Sequence, residues 1–242
     1  MSFKNLQIRY QTAAIMPGPF AHFYTLTLTP TGQDTLQTKI SIEYPDRDEL
    51  DEEDIIGEGF TLDDNFTWQG TLPQTWLDAV TPHTVNTKLK PLNEDDLGEN
   101  DDFFEIMLEN ADGHPKTGTP VNRDVWQYLA QELIQATYEA AGHEHPFTLI
   151  YLDNTQVSTG ELHLTASFTQ RTLTVDTLTE KPRILPWDEL QRIMSRVYSA
   201  EYNPDEALLN RPKQDGRFLN MGNDEWYNIS DQPNLHKLFK GL

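Results

Sequence analysis

The sequence predicts an α+β fold: antiparallel β-hairpins forming a sheet, with amphipathic helices packed on one of its faces. Three observations carry the prediction. Apolar and polar residues alternate with period two over several stretches. Two later stretches carry an apolar stripe at helical spacing. Gly- and Pro-bearing turns separate these stretches at short intervals.

The elements follow in order. Leu6, Ile8 and Tyr10 alternate with Gln7 and Arg9, which marks a first strand, and Met16-Pro17-Gly18-Pro19 breaks it. Tyr24, Leu26 and Leu28 then share one face, with Thr25, Thr27 and Thr29 on the other. Pro30-Thr31-Gly32 supplies a turn, and the return strand places Leu36, Thr38, Ile40, Ile42 and Tyr44 on one face. Residues 20–45 are therefore expected to form a hairpin with one packed and one wet face. Thr71-Leu72-Pro73 opens a helix whose Trp76, Leu77 and Val80 point inward. Residues 81–102 read as a connecting segment containing Pro82, Pro91 and a second acidic run.

Phe104, Ile106 and Leu108 resume strand alternation. The best helix covers residues 123–141, with Asn122 placed to cap it and Gly142 to end it. Trp126, Leu129, Ala130, Leu133, Ile134, Thr137 and Tyr138 form its apolar stripe. A second hairpin region spans 147–178, built on Phe147, Leu149 and Tyr151 and on Leu162, Leu164, Ala166 and Phe168, with a turn signal at Asp153-Asn154. A last helix is expected over 186–200, with Trp187, Leu190, Met194, Val197 and Tyr198 inward. Residues 203–242 lack clean periodicity, but Phe218, Trp226, Tyr227, Leu235, Leu238 and Phe239 imply that they pack over a surface. The expected core includes Ile40, Ile42, Trp126, Leu129, Leu133, Leu164 and Trp187.

The expected organisation is an N-terminal β-rich subdomain with an acidic segment, residues 1–92, and a C-terminal α+β subdomain, residues 103–242. One compact unit is the alternative. Thr71-Leu72-Pro73 before Trp76 is echoed by Ile184-Leu185-Pro186 before Trp187, which raises a chain of two ββα-like halves. Pro at a first helical turn is also common for local reasons.

Charge narrows function. Residues 46–105 hold 18 Asp and Glu against Arg47, Lys88 and Lys90, a net of −15 within a chain of −21. Such a surface argues against nucleic acid as a partner, because phosphate neutralisation needs basic side chains. No apolar run approaches a membrane span or a signal-peptide core, so no membrane role is expected. The chain has no Cys, which fits a reducing, cytoplasmic location. No GxSxG elbow, Walker loop or GxGxxG occurs.

The expected function is that of a soluble, acidic, non-enzymatic binding protein with a basic protein partner. Asp48, Glu49, Asp51, Glu52, Glu53, Asp54, Asp95, Asp96, Asp101 and Asp102 are the candidate partner-binding residues. The alternative is a small hydrolase-type enzyme with a carboxylate/His site near the 123–141 helix. His143 and His145 form the one tight His pair; in an extended segment they would face the same side, with Asp153 or His163 as a third metal ligand. A polar turn after the helix explains them more simply, and the calcium-loop template fails at Leu97 and Phe104. No cofactor or metal is therefore expected.

Overall fold

Leu6 and Ile8 are completely buried because their strand, β1 (Phe3–Gln11), lies inside a sheet with neighbours on both sides. The computed structural model describes residues 3–32, 34–110, 113–156, 159–177 and 179–242. The chain forms two compact units, Met1–Ala141 and Gly142–Leu242. It is a mixed α+β protein, with two antiparallel sheets and five α-helices among the described residues.

The first unit contains β2 (Phe23–Pro30), β3 (Leu36–Glu43), α1 (Glu52–Gly57), β4 (Phe66–Leu72) and α2 (Gln74–Asn86), then β5 (Leu89–Lys90), β6 (Phe103–Asn110), β7 (Pro115–Pro120) and α3 (Arg123–Ala140). Its sheet order is β4-β3-β2-β1-β6-β7-β5. The predicted hairpin forms, with Leu26 opposite Ile40 and Tyr24 opposite Ile42. Inward residues line up in rungs across the sheet: Leu28–Leu6–Leu108, Leu26–Ile8–Ile106 and Tyr24–Tyr10–Phe104. The apolar faces of α2 and α3 are buried at Trp76, Val80, Trp126, Ala130 and Leu133.

Helix α2 runs through Pro82 to Asn86, so the connecting segment is shorter than the prolines suggest. Asn122 makes no side-chain capping bond to α3. Strand β6, expected to open a second subdomain, pairs with β1 along nearly its whole length. The division of the chain falls instead after α3, at 141/142.

The second unit contains β8 (Phe147–Asn154), β9 (Thr159–Ser167), β10 (Thr172–Thr177) and β11 (Arg183–Leu185), then α4 (Asp188–Tyr198), β12 (Gly216–Asn220), β13 (Trp226–Asn228) and α5 (Pro233–Lys240). Its sheet order is β11-β10-β9-β8-β12-β13. Each sheet is thus a four-strand meander to whose first strand a later strand, β6 or β12, adds on the free side. The β9–β10 turn at Gln170-Arg171 places Arg171 in the left-handed region, φ 52°.

Three expectations for this unit are corrected. Residues 203–242 hold regular structure: two strands and a helix. In β12, Gly216, Phe218, Leu219 and Asn220 are all buried, so both faces are covered and no alternation appears in the sequence. Trp187 precedes α4 and is only half-buried, its ring edge-on to Phe168 at 5.2 Å. Tyr198, expected inward, is 56% exposed at the end of α4.

Leu133 has no exposed surface. Leu133→Ala should therefore destabilise the first unit by about 2–5 kcal/mol in denaturant unfolding, and a loss near zero would show that α3 relaxes into the space.

Candidate functional site

The acidic block is tethered to the sheet by a run of rings. Tyr10 stacks on Tyr24 at 5.1 Å and meets His22 at 5.5 Å. His22 meets Tyr44 at 5.5 Å, Tyr44 meets Phe60 at 6.0 Å, and Phe60 is edge-on to Phe20 at 5.1 Å. Arg47 closes this run. Its guanidinium lies 4.8 Å from the Tyr44 ring centre and 4.9 Å from that of Phe60, and it bonds Asp64 at 2.9 Å. Its Nε and Nη1 are buried without hydrogen-bond acceptors, which the two electron-rich ring faces partly replace. Asp64 in turn accepts from the Thr61 hydroxyl at 2.7 Å. One cation thus organises residues 44–64, amid carboxylates that repel one another.

Local chemistry explains part of the acidity. Asp51 caps α1 by accepting from the Glu53 amide at 2.9 Å, and Glu52, Glu53 and Asp54 occupy its first turn, where the helix dipole favours negative charge. Asp48, Glu49, Asp51, Glu52, Glu53, Asp54, Asp95, Asp96 and Asp101 are all exposed. Asp101 accepts from the Gly98 amide at 2.9 Å. Asp102 differs: it pairs with Arg123 at 2.6 Å and accepts from Gln127, tying its segment to α3.

Both acidic segments meet the loop after β1. The Ile15 amide donates to the Glu99 carbonyl at 3.0 Å. On the other side, Gly18 lies so close to Leu50 that an added Cβ would come within 2.7 Å of its Cδ2. This loop and its neighbours expose large apolar side chains: Ile15, Met16, Phe20, Ile56 and Leu62.

His143 and His145 are exposed in the turn after α3, not in an extended strand. The third ligands considered for them are otherwise engaged: Asp153 faces Arg217, and His163 bonds Glu161. Among the described residues, no group of three or more His, Asp or Glu is arranged to hold a metal. Ser158, part of a Ser-Thr-Gly turn in the sequence, lies outside the described residues.

The second unit carries a cluster of ionisable groups that the sequence reading did not assemble. Tyr151 and Asp153 follow Leu149 at period two on β8, and Arg217 of β12 sits directly across from Asp153. Tyr151 Oη lies 2.6 Å from His236 Nδ1, and its ring stacks on Phe239 at 4.9 Å. His236 and Phe239 are three residues apart, on one face of α5. Burial pushes the Tyr151 hydroxyl up to about 12, Asp153 adds to the shift, and Arg217 opposes it. Asp153 accepts from the Thr155 hydroxyl at 3.0 Å. Arg217 Nε is 3.6 Å from Asp153 Oδ2, too far for a hydrogen bond, and is buried without an acceptor.

On the opposite face of β9, buried Glu161 accepts from Arg211 and lies 2.7 Å from His163 Nε2. Tyr151, Asp153, Arg217 and His236, together with Glu161 and Arg211, line a cavity of about 540 Å³ beside the end of β10. Among the described residues, a larger depression of about 780 Å³ in the first unit has Lys88 and Lys116 as its ionisable lining and no acid–base pair. One signal for the cluster was present in the sequence: period two from Leu149 and Tyr151 puts Asp153 inward. Arg217 and His236 gave none.

No protein-family model, curated protein or solved structure matches this chain.

Two outcomes follow from this geometry. Arg47→Ala removes an ion pair and two ring contacts, and should cost about 1–3 kcal/mol. It should also open residues 46–65 to limited proteolysis, and unchanged cleavage would mean that the segment is held by other contacts. Tyr151 keeps its proton up to about pH 12 when folded, against 10.0 for an ordinary tyrosine. The unfolded chain releases that proton first, so this stabilisation is complete below pH 10 and is lost as pH rises from 10 towards 12. Tyrosinate absorbance should show one fewer late-ionising residue in Tyr151→Phe.

Proposed function

We propose that this chain is a non-enzymatic binding protein whose first unit takes a basic protein partner at its acidic end. The supporting observation is the combination of charge and exposed apolar surface on the same segments. Ile56 is 57% exposed and Leu62 52%, on the segment that carries Asp48, Glu49, Glu52, Glu53 and Asp54, and Ile15, 63% exposed, lies in the loop that meets the second acidic run through Glu99. Apolar anchors with a charged surround are the usual make-up of a protein interface. A purely solubilising surface has no use for exposed Ile and Leu.

Charge is also segregated between the units. The first holds 25 Asp and Glu against 8 Lys and Arg, a net of −17, and the second holds 14 against 10, a net of −4. A field so concentrated steers a cationic partner to the first unit and disfavours nucleic acid. This reading places the protein in the cytoplasm. No described helix is long and apolar enough to cross a membrane.

The reading also includes helices packed on one sheet face and two related halves. The matching strand orders support that organisation, as do the helices opened by Pro73 and Pro186. The hydrolase-type alternative placed its site at α3, whose inward Trp126, Ala130 and Leu133 are fully buried. The cavities described above are lined by other elements.

Partners captured by the full chain should be basic, and their association rate should fall at least about tenfold from low to high salt. Replacing Asp48, Glu49, Glu52 and Glu53 by Asn or Gln leaves the Asp51 cap in place. That variant should slow association without lowering stability. An acidic partner, or a salt-independent on-rate, would remove the acidic end as the functional surface.

A further inference from the structure

The inward rungs of the two sheets end differently. In the first unit the last full rung is Tyr24–Tyr10–Phe104, with the central Tyr10 ring touching both of the others. In the second it is Gly160–Asp153–Arg217. Three rings fill the space above a strand end. A glycine and a charged pair leave it open, and the cavity of about 540 Å³ lies there. Its size falls within the range of roughly 300–1,000 Å³ usual for small-molecule sites.

The lining charges identify what the cavity suits. Among the described residues it collects four of the chain's 18 Lys and Arg, against three Asp and Glu side chains, in a protein of net −21. The two buried carboxylates are already occupied: Glu161 by Arg211 and His163, Asp153 by the Thr155 hydroxyl and, at 3.6 Å, by the Arg217 charge. The cations are less committed. Arg183 donates to the Leu242 carbonyl oxygen, whereas among the described residues no Asp or Glu pairs with Lys240. The buried Nε of Arg217 has no acceptor. A guanidinium N–H without an acceptor is costly, and an oxyanion is its best partner. The Tyr151 and Thr155 hydroxyls add polar contacts, and Phe239 adds an apolar wall.

We infer that this cavity binds a small organic oxyanion, with its acid group held by Arg217 and Lys240 and its body against the Tyr151–Phe239 pair. Phosphate and carboxylate share this chemistry. The site is independent of the acidic end, because it is built wholly from the second unit.

Titration calorimetry on the full chain with phenyl phosphate, benzoate and neutral phenol tests this. Saturable one-to-one binding is expected for at least one of the two anions and not for phenol, and the better anion identifies the acid group. Arg217→Gln and Lys240→Gln should each weaken it about tenfold or more. Lys240 is exposed, so its variant keeps the fold even if the Arg217 variant does not. Three results would each overturn the assignment: both anions weaker than ~10 mM, phenol binding equally well, or full affinity in Lys240→Gln.

Discussion

In each unit the first strand must be paired on both sides. β1 lies between β2 and β6, and β8 between β9 and β12. One neighbour is a hairpin partner, available locally. The other comes from beyond a helix and many residues away, so neither sheet is complete until a distant segment returns. The burial of Leu6, Ile8, Phe218 and Leu219 depends on that return. So does the placing of Arg217 across from Asp153.

Strand ends then decide what each unit can do. Above β1 the space is filled by rings, and the ring series continues outward through His22 and Tyr44 to Phe60 and Phe20. It becomes a scaffold for the acidic loop, with Arg47 as its clasp. Above β8 the corresponding positions are polar. There Tyr151, Asp153, Arg217 and His236 face a cavity instead of a further layer of rings.

The acidity is tolerated for physical reasons visible in the fold. Nearly every carboxylate of the block reaches water, where repulsion is screened within ~8 Å at physiological salt. Those in the first turn of α1 gain from the helix dipole. Asp64 and Asp102, which reach less water, each have an arginine. The exposed Ile15, Ile56 and Leu62 are not explained by any of these terms, which is why they carry the functional reading.

The sequence by itself determined the hairpins, α3, the exposure of the acidic runs and the mixed α+β class. Each of these is written in local period or local charge. Tyr24, Leu26 and Leu28 alternate because one face of β2 is buried and the other is wet, and the stripe on α3 has the same origin. Only the tertiary structure decided the rest. β12 is covered on both faces and shows no period, and α5 is short. Trp187 looked like a core residue by type, yet sits half-exposed before its helix. The cluster around Tyr151 joins residues 151, 153, 217 and 236. The pairing of β8 with β12 and the docking of Phe239 on Tyr151 make them neighbours, and no spacing along the chain records either contact.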